Sequence, residues 1–314
     1  GAEPDGLGDK AAWRVWQANG LDADHALVSR ASLALGDAYV IVGGVDPDIE
    51  APIITPEDPR QVITVQDPVR RRRAIAGLKC YVDLALKTEY AYLYRPGVVY
   101  RAARAHQTAS SSDSNEAPMW SDSGWEWDMD PARPEELPAK LVPVVRFPNR
   151  PTMFGESVGE FEPHLSILDR INYGILNRLE IATMQAFRQR AVKNVPTHDA
   201  EGEEIDYDDL FAADPGALWL LPESAEMWES GQVDLGPLRQ AIRDDVQDLA
   251  AVTRTPLFYL TPEGANGSAE GASLAREGLI FKTQDRIVQA GESWEQVMAM
   301  AFAMAGDEDR SKRA

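Results

Sequence analysis

FEPHLSILDRINYGILNRLEIATMQAFRQR, residues 161–190, is the longest uninterrupted helical pattern in the chain. Pro163 falls where a first-turn proline is tolerated, because its missing N–H would have no intrahelical partner there. Leu165, Leu168, Ile171, Ile175, Leu176 and Leu179 follow at spacings of three and four, then Met184 and Phe187, with no further proline before Pro196. A helix of that length spans ~45 Å at 1.5 Å per residue. Tyr173, Ile181 and Ala182 widen the apolar surface beyond one stripe, which predicts protein on more than one side.

Upstream, residues 9–19 and 21–35 read as helices, the second capped by Asp22 or Asp24 and stopped by Gly36. The strand DAYVIV (37–42) follows at once. Pro47, Pro52, Pro56 and Pro59 mark a loop or edge segment over 46–60. QVITVQ (61–66), KCYVDLAL (79–86), EYAYLYRPG (89–97) and VVYRA (98–102) read as strands, with Tyr90, Tyr92 and Tyr94 on one face and a hairpin turn at Pro96–Gly97. Arg70 to Arg73 form a short basic run, read as a solvated edge or a site of pairing between subunits rather than a nucleic-acid patch. Residues 107–123, rich in Ser and Asp, read as a surface loop. GWEWDMD (124–130) and LVPVVRFPNR (141–150) supply the last strand patterns. The expectation is an α+β domain over about 1–155, two helices followed by a largely antiparallel sheet.

Downstream of the long pattern, 191–235 is an excursion. Its early part is acidic, and its later part holds a strand, ALWLL (217–221). A helix over 237–252 follows, with Pro237 at N1 and Thr255–Pro256 as its end. The glycine-rich loop LFYLTPEGANGSAEG (257–271) leads into a long helix over 272–305, with Gly278 and Gly291 as points of bending.

A length of 314 residues predicts about two domains. The net charge of −20 argues against a whole-surface grip on nucleic acid, which needs a basic footprint, but not against a protein that DNA passes through. No apolar run approaches ~18 residues, so no membrane span is expected. The first residues, without Met or an apolar core, predict no signal peptide. Cys80, the one cysteine, excludes an internal disulfide and a CxxC metal site, and its apolar run predicts a buried thiol.

The four histidines, His25, His106, His164 and His198, sit in no metal-binding spacing. GxSxG, GxxxxGK[ST] and GxGxxG are all missing. Asp206, Asp208 and Asp209 are hard-oxygen candidates for a divalent cation but lack the EF-hand pattern. No nucleophile–base–orienter set is legible, so no cofactor is expected and a non-catalytic protein is the default. An alternative is a carboxylate- or metal-dependent enzyme using the acidic segment 199–209.

The order of parts resembles the portal proteins of tailed bacteriophages, the head-to-tail connector family. GDAYVIV (36–42) looks like a strand of their wing domain. VVRFPNRPTMFGESVGEFEPHLSILDRIN (144–172) is similar to their passage into the first stem helix, with Asn149, Gly155 and Ser157 in the motif places. FRQRAV (187–192) and RTPLFYL (254–260) resemble the end of that helix and the passage from the second stem helix to the tunnel loop.

The resemblance implies a portal-like α+β fold: wing 1–160, first stem helix 161–190, clip 191–235, second stem helix 236–253, tunnel loop 254–271, and a long helix 272–306 returning to the wing, with the crown region absent. It implies a ring of twelve subunits at one capsid vertex of the virion, assembled in the host cytoplasm. Double-stranded DNA is packaged and ejected through that ring without sequence reading. Implied partners are terminase, the major capsid protein and head-completion or adaptor proteins. Asn266, Gly267 and Ser268 become the tunnel-loop residues near DNA, although Lys and Arg are missing between Pro256 and Ala275. Arg170, Arg178, Arg239 and Arg243 become stem residues that pair charges or line the channel. Asp206, Asp208, Asp209 and Trp219 become the clip residues that meet partners. A ring adaptor that admits no DNA is the alternative within the same architecture.

Overall fold

The computed structural model describes residues 9–106, 124–128, 134–186, 190–198, 201–205, 223–261 and 269–312. They fall into two compact units, Gly1–Pro163 with Ser268–Ala314, and His164–Gly267.

The first unit opens with α1 (Lys10–Ala18) and α2 (Leu21–Leu35). Asp9 caps α1 by accepting from the Ala11 and Ala12 amides. The cap of α2 is Gly20 in the left-handed region, not Asp22 or Asp24. Asp22 is otherwise engaged: its carboxylate accepts from Trp16 Nε1 (2.8 Å) and Gln17 Nε2 (2.5 Å), tying α2 back to α1. Gly36 ends α2 at φ +89°, where a Cβ would also meet the Ser157 carbonyl at 3.1 Å. Glycine is required there on both counts.

Two antiparallel sheets follow, rather than the single one expected. β1 (Asp37–Asp46) is the middle of a three-stranded sheet, flanked by β2 (Ala51–Glu57) and β9 (Val144–Pro148). The proline-rich segment thus becomes an edge strand, where a missing N–H can face outward. The second sheet runs β3 (Val62–Gln66), β4 (Ala74–Asp83), β5 (Thr88–Arg95), β6 (Val98–Ala105), with β7 (Glu126–Trp127) and β8 (Glu135–Glu136) both paired to β6. Arg70–Arg73 lie in the turn between β3 and β4, not in a strand.

β1 is buried on both faces. Ala38, Val40 and Val42 join Val15, Leu21, Val28, Val145 and Phe147 in one cluster, with Val297, Met300, Ala301 and Met304 of α5 (Ala269–Met304). Tyr39 and Ile41 face the other way, into a cluster with Val62, Ala74, Val142 and Val144. The layers are therefore helices, three-stranded sheet, six-stranded sheet. This is why the sequence there runs apolar without alternating. Trp294 locks α5 onto the sheet edge-on, 4.9 Å from the Phe147 ring and 5.0 Å from Trp16. A last short helix, α6 (Glu308–Ser311), follows Asp307, whose carboxylate caps it.

Cys80 is buried, and burial pushes its thiol up to about 11. The tyrosines of β5 share one face as expected: Tyr92 stacks with Tyr81 and Tyr94. On the opposite face Glu89 is buried and doubly held, by Arg104 Nε (2.6 Å) and His106 Nδ1 (2.8 Å). Burial would raise its pKa, but the two donors outweigh that and lower it.

Candidate functional site: a helical pair and the segment that leads to it

The second unit is built on α3 (Leu165–Ala186) and α4 (Gly236–Thr253), joined through the hairpin β10 (Arg190–Lys193) and β11 (Glu226–Glu229). α3 is shorter than the sequence pattern predicts. Pro163 sits in a 3₁₀ turn, Glu162–His164, and the α-helix begins only at Leu165. Its 22 residues give ~33 Å.

The helices are antiparallel. Arg170 near the start of α3 pairs with Asp245 in the second half of α4, and Gln185 near the end of α3 donates to the Val233 carbonyl (2.9 Å) just before α4. Between these points the backbones come close at Gly174, where a Cβ would stand 2.7 Å from Ile242 Cγ1. The less exposed positions of α3 are 167, 168, 171, 174, 178, 181 and 185, a helical spacing that marks the face toward α4. α4 starts with Pro237 in its first turn and stops at Arg254, which takes the left-handed conformation. The Thr255 amide then reaches back to the Ala250 carbonyl (2.9 Å), and Pro256 prevents continuation.

The rest of α3 is an open face on which large apolar side chains stand among polar ones such as Asn172, Asn177 and Glu180. Leu165, Tyr173, Leu176, Leu179 and Met184 are half or more exposed, and Ile175 is 37% exposed. So many large apolar side chains on one helix exceed the scatter of a monomer surface and mark an interaction site.

Of the four stem arginines, Arg170 is placed to pair charges within the helical pair, with Asp248 a more distant second partner at 4.0 Å. Arg239 and Arg243 are exposed on α4 and Arg178 is half-buried on the face of α3 turned to it, so no common cluster forms. Asn266, Gly267 and Ser268 lie outside the described residues, as do Asp206, Asp208, Asp209, Trp219 and the strand expected at 217–221. The glycine-rich loop expected over 257–271 instead begins with a 3₁₀ turn, Leu257–Tyr259, and the long helix already runs from Ala269. Among the described residues no group of three or more His, Cys, Asp or Glu is placed to hold a metal ion. No helix of the described residues is long and apolar enough to cross a membrane.

The segment leading to α3 carries the positions on which the sequence resemblance rests, and each has a structural task in the first unit. Arg146 on β9 grips Asp37 of β1 with two bonds, 2.7 and 2.9 Å. It also donates to the Gly155 carbonyl (3.0 Å) and the Ser157 hydroxyl (2.8 Å). Asn149 is 2% exposed, and its amide donates to the Val158 carbonyl (2.8 Å) and to Glu160 (3.2 Å). Glu160 in turn accepts from Lys282 (2.6 Å) and Arg286 (2.8 Å) of α5. Burial would raise its pKa, but Lys282, Arg286 and Asn149 outweigh that and hold it at about 2. The long helix is thereby clamped to the strand end from which the chain departs. Sequence reading missed this clamp because Glu160 and its cations are over 120 positions apart.

The chain is thus a layered α+β unit interrupted by an antiparallel helical pair, with large apolar side chains left open on one helix. The chain matches the family described as Phage portal protein, SPP1 Gp6-like, over residues 3–313, and belongs to it. It is 26% identical over 310 residues to the Portal protein of Mycobacterium phage D29, an alignment covering 94% of this chain and 59% of that protein. It is 25% identical over 309 residues to the Portal protein of Mycobacterium phage L5, covering 94% and 58%. The chain therefore spans under two thirds of the length of these relatives.

Proposed function

We propose that the chain is one subunit of a portal ring at a capsid vertex of the virion, a structural conduit through which double-stranded DNA is packaged and ejected. The observation that carries this is the open face of α3, with its large apolar side chains, in a member of the portal family. That face calls for other protein against it, and neighbouring copies of the same helical pair supply it. In this arrangement 1–160 is the wing, α3 and α4 are the stem, 191–235 is the clip and 254–271 is the tunnel loop. Residues 272–306 are the helix returning to the wing. Asn266, Gly267 and Ser268 come nearest to DNA without reading bases. The clip, with Asp206, Asp208, Asp209 and Trp219, meets terminase during packaging and head-completion proteins afterwards. The acidic balance of the chain keeps phosphates from adhering to the passage.

The test is native mass spectrometry of the purified chain followed by imaging of the particle. A closed multiple of the 34.6 kDa subunit is expected. Its bore should be roughly 20 Å or more, enough for a duplex whose major groove alone is ~12 Å wide. A chain that stays monomeric or dimeric under assembly conditions refutes the ring. A ring with a bore too narrow for a duplex leaves an adaptor instead.

A further inference from the structure

The six-stranded sheet carries opposite charge at the two corners of one of its ends. At the β3 edge, the turn into β4 holds Arg70, Arg71, Arg72 and Arg73, all exposed and none in an ion pair among the described residues. The turn is firmly built. Asp67 accepts from the Val69 and Arg70 amides (2.8 and 3.0 Å), and the Asp67 amide donates to the Arg73 carbonyl (2.8 Å). Arg71 reaches the Met153 carbonyl (2.6 Å) and Arg72 reaches Gln289 of α5 (3.1 Å). The side chains of Arg70 and Arg73 make no hydrogen bond or close ion pair among the described residues, and the acidic group acting on them is the Asp67 carboxylate, whose pKa they help to lower.

At the other edge stand β7 and β8. Glu135 and Glu136 make up β8, are exposed, and form no ion pair among the described residues. The registers place the two edges on one line: Thr64, Gly77, Tyr94, Val99 and Glu135 are successive partners across the sheet. Four inter-strand steps of ~4.8 Å separate them, about 19 Å. β3 ends at Gln66, so the arginine turn and β8 lie at the same end of the sheet. A neighbour displaced along that line brings its β8 to the arginine turn.

The chemistry favours protein over nucleic acid as the occupant. Val69, Met153 and Phe154, beside the arginines, are 88%, 79% and 92% exposed. A phosphate backbone would satisfy the guanidinium groups and leave those side chains in water, whereas a protein surface covers both. In a chain of net charge −20, an acidic surface is what every other copy offers.

We propose that these two edges meet head to tail between copies, Arg70 and Arg73 of one against Glu135 and Glu136 of the next. The contact uses different surfaces on the two partners, so it propagates and closes only as a ring. It rests on the ring proposed above and adds the surfaces that touch.

The experiment is a charge exchange in the full chain, read by sedimentation velocity at moderate salt. Arg70→Glu/Arg73→Glu and Glu135→Lys/Glu136→Lys should each weaken assembly about tenfold or more, with unchanged circular dichroism. The fourfold exchange, with both edges inverted, should restore assembly to within about threefold of the original chain. The proposal is overturned if either double variant assembles normally, or if the exchange fails to restore assembly. Normal assembly of all variants condemns this contact but leaves the ring intact. An original chain that never assembles condemns both. Should the arginine variant assemble normally but lose binding to a short DNA duplex, the turn faces nucleic acid and the proposal falls.

Discussion

Replacing Glu160 by Gln removes one charge from the clamp on α5 and takes away the carboxylate that Lys282 and Arg286 share. The effect can be worked from proton linkage. A carboxyl held at about 2 against an ordinary 4.5, at ~1.4 kcal/mol per decade of proton affinity, contributes about 3 kcal/mol before screening. The site borders solvent, and screening reduces this to about 1–2 kcal/mol. The folded-state pKa is depressed, so the contribution is complete above about 4.5 and is lost as pH falls toward about 2. Urea unfolding of the first unit, followed by the fluorescence of Trp16 and Trp294, measures it. The chain has many other carboxylates, so the quantity to read is the difference between Glu160→Gln and the original protein at each pH. That difference should be about 1–2 kcal/mol at pH 7 and shrink toward zero near pH 2. A variant as stable as the original at pH 7, or a difference that does not change on acidification, refutes the clamp.

Three further outcomes are expected. Gly174→Ala gains about 1 kcal/mol of helix propensity but forces a methyl to 2.7 Å from Ile242 Cγ1, an overpacking of about 1–3 kcal/mol. A double-mutant cycle with Ile242→Ala should give a coupling of about 1 kcal/mol or more, and additivity within about 0.5 kcal/mol would deny the close approach. Gly36→Ala, at φ +89° and 3.1 Å from the Ser157 backbone, should cost about 1–3 kcal/mol in the thermal unfolding of the first unit. Cys80, with its thiol at about 11 and its side chain buried, should react with a disulfide reagent at pH 8 about a hundredfold more slowly than in urea.

What the sequence revealed follows the strength of local signals. α2, Gly36 and β1 were legible because a periodic helix, an obligate glycine and an apolar run stand in immediate succession. α4 was legible from Pro237 at one end and Thr255–Pro256 at the other. The β10–β11 hairpin was not, since RAVK and EMWE are four residues each and half of those are charged, and they pair across more than thirty residues. β2 was obscured by its prolines, which an edge tolerates. The split into two sheets could not be read, because the unbroken apolar run of β1 tells that both faces are apolar but not what lies against each. In the site, the exposed apolar positions of α3 were all visible in the sequence. Their division between the α4 face and the open face was set by Gly174 and Arg170, whose roles depend on a helix sixty or more residues away.

β1 contributes side chains to both apolar clusters of the first unit. One consequence is mechanical. The helical layer and the six-stranded sheet share their main support, since they rest on opposite sides of β1 and its neighbour β9. Peeling either layer exposes the residues that hold the other, so partial opening gains nothing and the layers should come apart together. Amide exchange should therefore be slowest along β1, at the free energy of complete unfolding, and a load applied through α5 should be felt at the far sheet without any hinge between.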